Sequence, residues 1–145
     1  MKTFDWKNSL CMALVFLAGA APALAQRVTP VDAKAIRAAI EAQLDAFAAD
    51  DADKAFSYAA PPIRTQFGSA ANFMRMVKTG YPVVYRPASV TFLKPELIDG
   101  EIIQSVRMTD DEGQGWVAHY RMLRQKAKPW LINGCRLERS DARIT

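Results

Sequence analysis

The feature that most limits how this chain can fold is a change of hydrophobic period near Tyr81. Upstream, Ile36, Ile40, Leu44 and Phe47 recur at spacings of four, four and three, one stripe of a 3.6-residue helix. Downstream, apolar and polar residues alternate, and Val, Ile, Tyr, Trp and Phe dominate, as half-buried strands require. Helical segments followed by a run of strands predict an α+β layer structure, with helices covering one face of a sheet.

Punctuation between the periodic stretches divides them into elements. Asp32 is suited to cap the first helix. Asp50 or Asp51 suits a second, shorter helix carrying Ala55, Phe56 and Ala59, which Pro61-Pro62 should end because prolines donate no backbone hydrogen bond. A third helix is expected from Ser69, burying Phe73, Met76 and Val77 and stopping at Gly80. The segments "YPVVYR", "ASVTFLKPEL", "EIIQSVRMT", "GWVAHYRMLRQ" and "PWLINGCRL" read as strands. Asp99-Gly100 is a tight-hairpin signal, "TDDEGQG" a longer hairpin loop and "QKAK" a third connection. Pro95 points to an edge position or a bulge. The expected architecture is three N-terminal helices packed on a curved antiparallel sheet of about 4–6 strands. Residues 26–145 form one domain, with a core over about 33–138 and a loose tail after Arg139.

Residues 1–25 read as a secretory signal peptide. Lys2 and Lys7 precede the apolar run "LCMALVFLAGAA", and Ala23 and Ala25 supply the small residues of a cleavage site, so the cut is expected after Ala25. The run is well short of the ~20 apolar residues of a membrane span, which predicts a periplasmic or secreted protein with no stable span. Cys11 leaves with the signal, and the mature chain keeps only Cys135, too few for an internal disulfide. Removing Lys2, Lys7 and Asp5 leaves 17 basic and 14 acidic residues, a net charge of +3. Arg121 to Arg143 holds seven of those basic residues against two acids, a polarity suited to an anionic envelope partner. No aromatic-basic motif speaks for nucleic acid.

Several chemistries lack their residues. One histidine and one mature cysteine, with no HxxxH or CxxC spacing, predict no metal site, and no glycine-rich phosphate cradle occurs, so no cofactor is expected. Along "GWVAHYRML", Trp116, Ala118, Tyr120 and Met122 share the more apolar face, which should meet the helices. Val117, His119, Arg121 and Leu123 share the other. In one hairpin register His119 lies directly across from Cys135, making a candidate thiolate–imidazole pair, and a slip of one residue breaks it.

The stretch "PPIRTQFGSAANFMRMVKTGYPVVYRPASVTF" with "HYRML" and "WLINGCRL" resembles the bacterial domain of unknown function 4864 family, over roughly residues 33–138. The helix-then-sheet order resembles the cone of the nuclear transport factor 2-like superfamily, an α+β architecture shared with cystatins. The resemblance brings no catalytic motif. It implies a pocket between helices and sheet, for which the candidate lining is Phe56, Tyr58, Arg64, Phe73, Tyr85, Trp116, Tyr120 and Trp130, with Arg64 as an anion contact. The expected function is non-catalytic binding of a small apolar or anionic ligand, or of an envelope protein. The alternative is an isomerase- or dehydratase-type enzyme that places an acid–base group in the cavity. A homodimer through the outer sheet face, around Val117 and Leu123, is a third reading.

Overall fold

Thr29 starts the first helix, α1 (Pro30–Ala48), by a reciprocal cap. Its hydroxyl accepts from the Asp32 backbone N–H at 3.1 Å, while Asp32 Oδ2 accepts from the Thr29 N–H at 3.0 Å. Asp32 is therefore not the N-cap expected from the sequence but the third helical residue, closing the box from inside. The computed structural model describes residues 27–141; the expected signal peptide, its cleavage site and residues 142–145 lie outside the described residues. The predicted stripe Ile36, Ile40, Leu44 and Phe47 is buried, together with Ala39 and Gln43.

Asp51 caps α2 (Ala52–Ser57). Pro61-Pro62 opens a helix, α3 (Pro61–Phe67), instead of terminating one. Proline at the first helical positions forfeits only an N–H that has no partner there anyway, and its fixed φ already suits the helix. Gly68, at φ 74°, ends α3 in the left-handed conformation. Ser69 then caps α4 (Ala70–Gly80), which buries Phe73, Met74 and Val77.

"YPVVYR" is also corrected: it forms a one-turn helix, α5 (Pro82–Tyr85), not a strand. Val83 and Val84 are both buried. In a strand two successive side chains point to opposite faces, so a pair facing one core favours the helical turn. Five helices precede the sheet where three were expected.

The sheet is antiparallel and five-stranded: β1 (Ser89–Phe92), β2 (Glu96–Ile98), β3 (Glu101–Thr109), β4 (Gly115–Leu123) and β5 (Leu131–Arg139). Strand order is β1-β3-β4-β5, and β2 also pairs with β3. The single strand read into "ASVTFLKPEL" is thus two short pieces on one side of β3, with Pro95 in the break. Asp99 and Gly100, at φ 50° and 78°, make the expected tight hairpin. Ile102, Val106 and Met108 of β3 and Ala118, Tyr120 and Met122 of β4 are buried against the helices, for β4 the predicted face. The outer edge of β5 is partly covered where Ala59 bridges Ile132: the Ala60 N–H donates to the Ile132 carbonyl at 2.9 Å, and the Ile132 N–H to that of Tyr58 at 2.8 Å. No helix among the described residues is long and apolar enough to cross a membrane.

Candidate functional site

Helices and sheet do not meet everywhere. Between them lies a half-open cavity of about 170 Å³. Gln43 and Phe47 of α1, Phe67 of α3, Phe73 and Met76 of α4, and Tyr120 and Cys135 of the sheet are among the residues that wall it. Tyr81 and Gln66 add polar atoms, and no lining side chain is charged.

Tyr120 is the unusual member. Its ring is 1% exposed, and its hydroxyl is buried with no hydrogen-bond partner among the described residues. Native structures rarely leave such a group unmatched, because an orphaned buried donor costs about 1–3 kcal/mol. Burial pushes the phenol well above its usual pKa, so it stays protonated.

Cys135 sits beside it for a reason the strand alternation concealed. β4 and β5 pair Tyr120 with Cys135 but Met122 with Ile132, so two residues of one strand step past three of the other. The extra residue is a bulge, and Gly134 within that segment takes φ 147°. Arg121 Nη2 lies 3.1 Å from the point a Cβ on Gly134 would occupy, so glycine also makes room for that guanidinium. Strict alternation from Ile132 would turn Cys135 outward; the bulge returns it to the core face. The expected His119–Cys135 pair is accordingly not formed, since His119 pairs with Arg136 and belongs to the opposite face.

Burial pushes the Cys135 thiol up to about 12. An ordinary thiol near 8.5 is about a quarter thiolate at pH 8, so Cys135 holds roughly a thousandth of that. Its reaction with an aromatic disulfide reagent at pH 8 is expected to run about three orders of magnitude slower than after denaturation. Equal rates in the two states would show that the thiol is not in the cavity wall.

His119 is half-buried on the outer face with both ring nitrogens engaged. Nδ1 lies 2.8 Å from Ser105 Oγ and Nε2 lies 3.2 Å from Glu138 Oε2. A carboxylate only accepts, so in the neutral ring Nε2 carries the proton and Nδ1 accepts from the serine hydroxyl. This row spans β3, β4 and β5 along a groove of about 470 Å³ that also holds Glu101, Arg121 and Arg136. Backbone N–H groups in a sheet lie in its plane, committed to neighbouring strands. The row thus has hydroxyl, imidazole and carboxylate, but the sheet aims no backbone donors at an oxyanion above it. Val117 and Leu123 flank these polar groups on the same face.

The eight expected lining residues scatter. Phe73 and Tyr120 wall the cavity. Phe56 packs behind it, 5.4 Å between ring centroids from Phe73. Arg64 lies outside the cavity wall, and its guanidine group donates to the Ala59 carbonyl at 3.0 Å and the Ser57 carbonyl at 2.8 Å. The Ser57 carbonyl closes α2, and that of Ala59 lies in the turn before α3. Tyr58 and Trp130 line a separate surface groove near the start of α1. Tyr85 hydrogen-bonds Asp50, whose carboxyl Tyr85 and Lys78 hold below its usual range. Trp116 donates from Nε1 to Asp110 at 3.0 Å in the β3–β4 loop. Gln43, Phe47, Phe67, Met76 and Tyr81 were not anticipated in the wall. Among the described residues, no three His, Cys, Asp or Glu side chains are placed to hold a metal ion.

Residues 29–145 match the family described as a domain of unknown function, DUF4864. The chain belongs to this family. No curated protein and no solved structure shows a significant match. In this DUF4864 domain, then, the chemistry must be read from the cavity itself.

Proposed function

We propose that this DUF4864 protein is a non-catalytic binding domain that takes a small apolar molecule into the cavity between α1, α3, α4 and the sheet. The observation that carries the reading is the cavity: about 170 Å³, half-open and walled almost wholly by apolar side chains. Apolar pockets with few polar groups are the usual form of small-molecule sites. The enzyme alternative asks for an acid–base group inside, and the described lining contains neither carboxylate nor imidazole. Two further readings accompany this one. The helix-then-sheet order supports a nuclear transport factor 2-like cone, and the N-terminal pattern ending at Ala25 supports export to the periplasm or medium.

Toluene serves as the test ligand. A compound at a hundred times its Kd stabilises the folded state by ~2.7 kcal/mol, so the melting temperature should rise with toluene concentration. Met76 is half-buried in the cavity wall, and Met76→Trp should close the site while the core survives. The reading fails if toluene leaves the melting temperature unchanged, or shifts the Met76→Trp protein equally. Mass analysis of the exported chain should find Gln26 first.

A further inference from the structure

We propose that the open edge of β1 is a docking strand. Its partner is an extended protein segment, apolar on one face with a lysine or arginine between the apolar residues, which adds antiparallel to β1 beside α1. This surface is separate from the cavity and does not depend on what the cavity binds.

The backbone comes first. β1 ends the strand order β1-β3-β4-β5, so β3 is its one neighbour. The Leu93 N–H donates to the Ser105 carbonyl at 3.0 Å, and counting back by twos through the register turns the backbone groups of Thr91 toward β3 as well. Those of Val90 and Phe92 turn away. Among the described residues, no strand, turn or side chain pairs with these two N–H and two C=O groups. The far edge of the sheet is different, because Tyr58 and Ala60 bond the outer side of β5 at Ile132. Proteins blunt open edges with charged residues or proline, and β1 itself, Ser-Val-Thr-Phe, has neither.

Packing comes second. Val90 and Phe92 stand opposite Met108 and Val106, so their side chains face the helix layer. Met108 is 1% exposed, yet Val90 beside it is 38% exposed. The sheet stops one strand short of the helix above it, which leaves an open groove of about 440 Å³ between α1 and β1. A strand added there bonds the four free backbone groups, and its inward side chains cover Val90 and reach Leu44 of α1.

Charge comes last and sets the partner's chemistry. Two cations and two carboxylates line the groove. Arg37 is taken by Glu41 at 2.7 Å, and Arg86 by Asp50 at 3.3 Å. Asp45 makes no ion pair among the described residues. The charge left over is therefore a carboxylate, which an ammonium or guanidinium on the incoming strand answers.

The experiment titrates the capped peptide Ac-TVTKTVT-NH2 into the protein and follows backbone amides by NMR. The Val90 and Phe92 amides should shift and exchange with solvent tenfold or more slowly, while those of β5 stay unchanged. Antiparallel addition aims the valine and lysine N–H groups of the peptide at β1 and its threonine N–H groups at solvent. N-methylating the two valines should thus abolish binding, and N-methylating the two threonines beside the lysine should leave Kd within fivefold. Replacing the peptide lysine by glutamate should weaken binding about fivefold, and Asp45→Lys should reverse that preference. No response at Val90 and Phe92 overturns the docking strand, and equal binding by the two methylated peptides overturns strand addition. A glutamate peptide that binds wild type as well as the lysine peptide overturns the basic partner. Protection of the same amides by raising protein concentration alone would assign the edge to a second copy of this chain and overturn the partner segment. Should Asp45→Lys fail to fold, the lysine and glutamate peptides on wild type decide the charge.

Discussion

Replacing Phe73 with alanine is expected to lower the unfolding free energy by about 3–5 kcal/mol, the range for truncating a buried aromatic. Phe73 is 6% exposed and stands at the centre of three other rings. Phe47 comes from α1, Phe56 from α2 and Phe67 from α3, with centroids 6.0, 5.4 and 5.8 Å from Phe73 on α4. One side chain thus joins all four long or medium helices, and pairs in tilted or edge-on contact add about 0.5–1.5 kcal/mol each beyond area burial. Its loss should also reshape the site, since Phe73 walls the cavity. Naphthalene should stabilise Phe73→Ala more than the parent. Urea denaturation checks the first half and a thermal shift the second. A loss below about 1.5 kcal/mol would mean that neighbouring rings collapse into the gap and that no hub exists.

Much of this arrangement could be seen in the residues before any coordinates. Periodicity placed α1 and its stripe, Ser69 at the head of α4, and Tyr120 on the inner face of β4. Three features resisted the same reading, each for its own reason. Pro61 reads as a terminator and Pro82 as part of a strand, whereas both begin helices, because the first turn needs no N–H from them. The place of Cys135 stays open between two registers in the sequence because alternation counts residues and a bulge adds one; only the pairing of Tyr120 with Cys135 and Met122 with Ile132 reveals it. The cavity wall escaped because aromatic identity does not say where an aromatic lies. Tyr85, Trp116 and Trp130 are large rings drawn to polar partners or cationic neighbours outside the cavity, while small or flexible residues such as Ala59 and Met76 complete the wall. The orphaned hydroxyl could not be foreseen at all, since a missing partner is a property of the packed fold.

Asp32→Ala should cost about 1–2 kcal/mol at pH 7, and the loss should depend on pH. The Asp32 carboxylate accepts from the Thr29 backbone and hydroxyl at one end of α1, and from Arg124 beyond β4 through two bonds of 3.0 Å each. Loss of the cap contributes about 1 kcal/mol. The Arg124 bonds add a further part, reduced because the Arg124 side chain is 42% exposed and screened by solvent. The Thr29 N–H does most to hold the Asp32 carboxyl below its ordinary 3.8, with the Thr29 hydroxyl and Arg124 adding to it. A carboxyl whose folded pKa is depressed stabilises the fold above its unfolded value and loses that contribution as pH falls through the folded one. The gap between wild type and variant should therefore be full at pH 7 and shrink below about pH 4. Asp32→Asn keeps an acceptor for the cap while discarding the charge, so it should lie between the two at pH 7 and converge on wild type in acid. A gap equally wide at pH 7 and pH 3 would assign the effect to packing alone. The contact matters to the site as well as to stability: it ties the start of α1 to the exit of β4, 92 residues apart, and those two elements carry Phe47 and Tyr120 to opposite walls of one cavity.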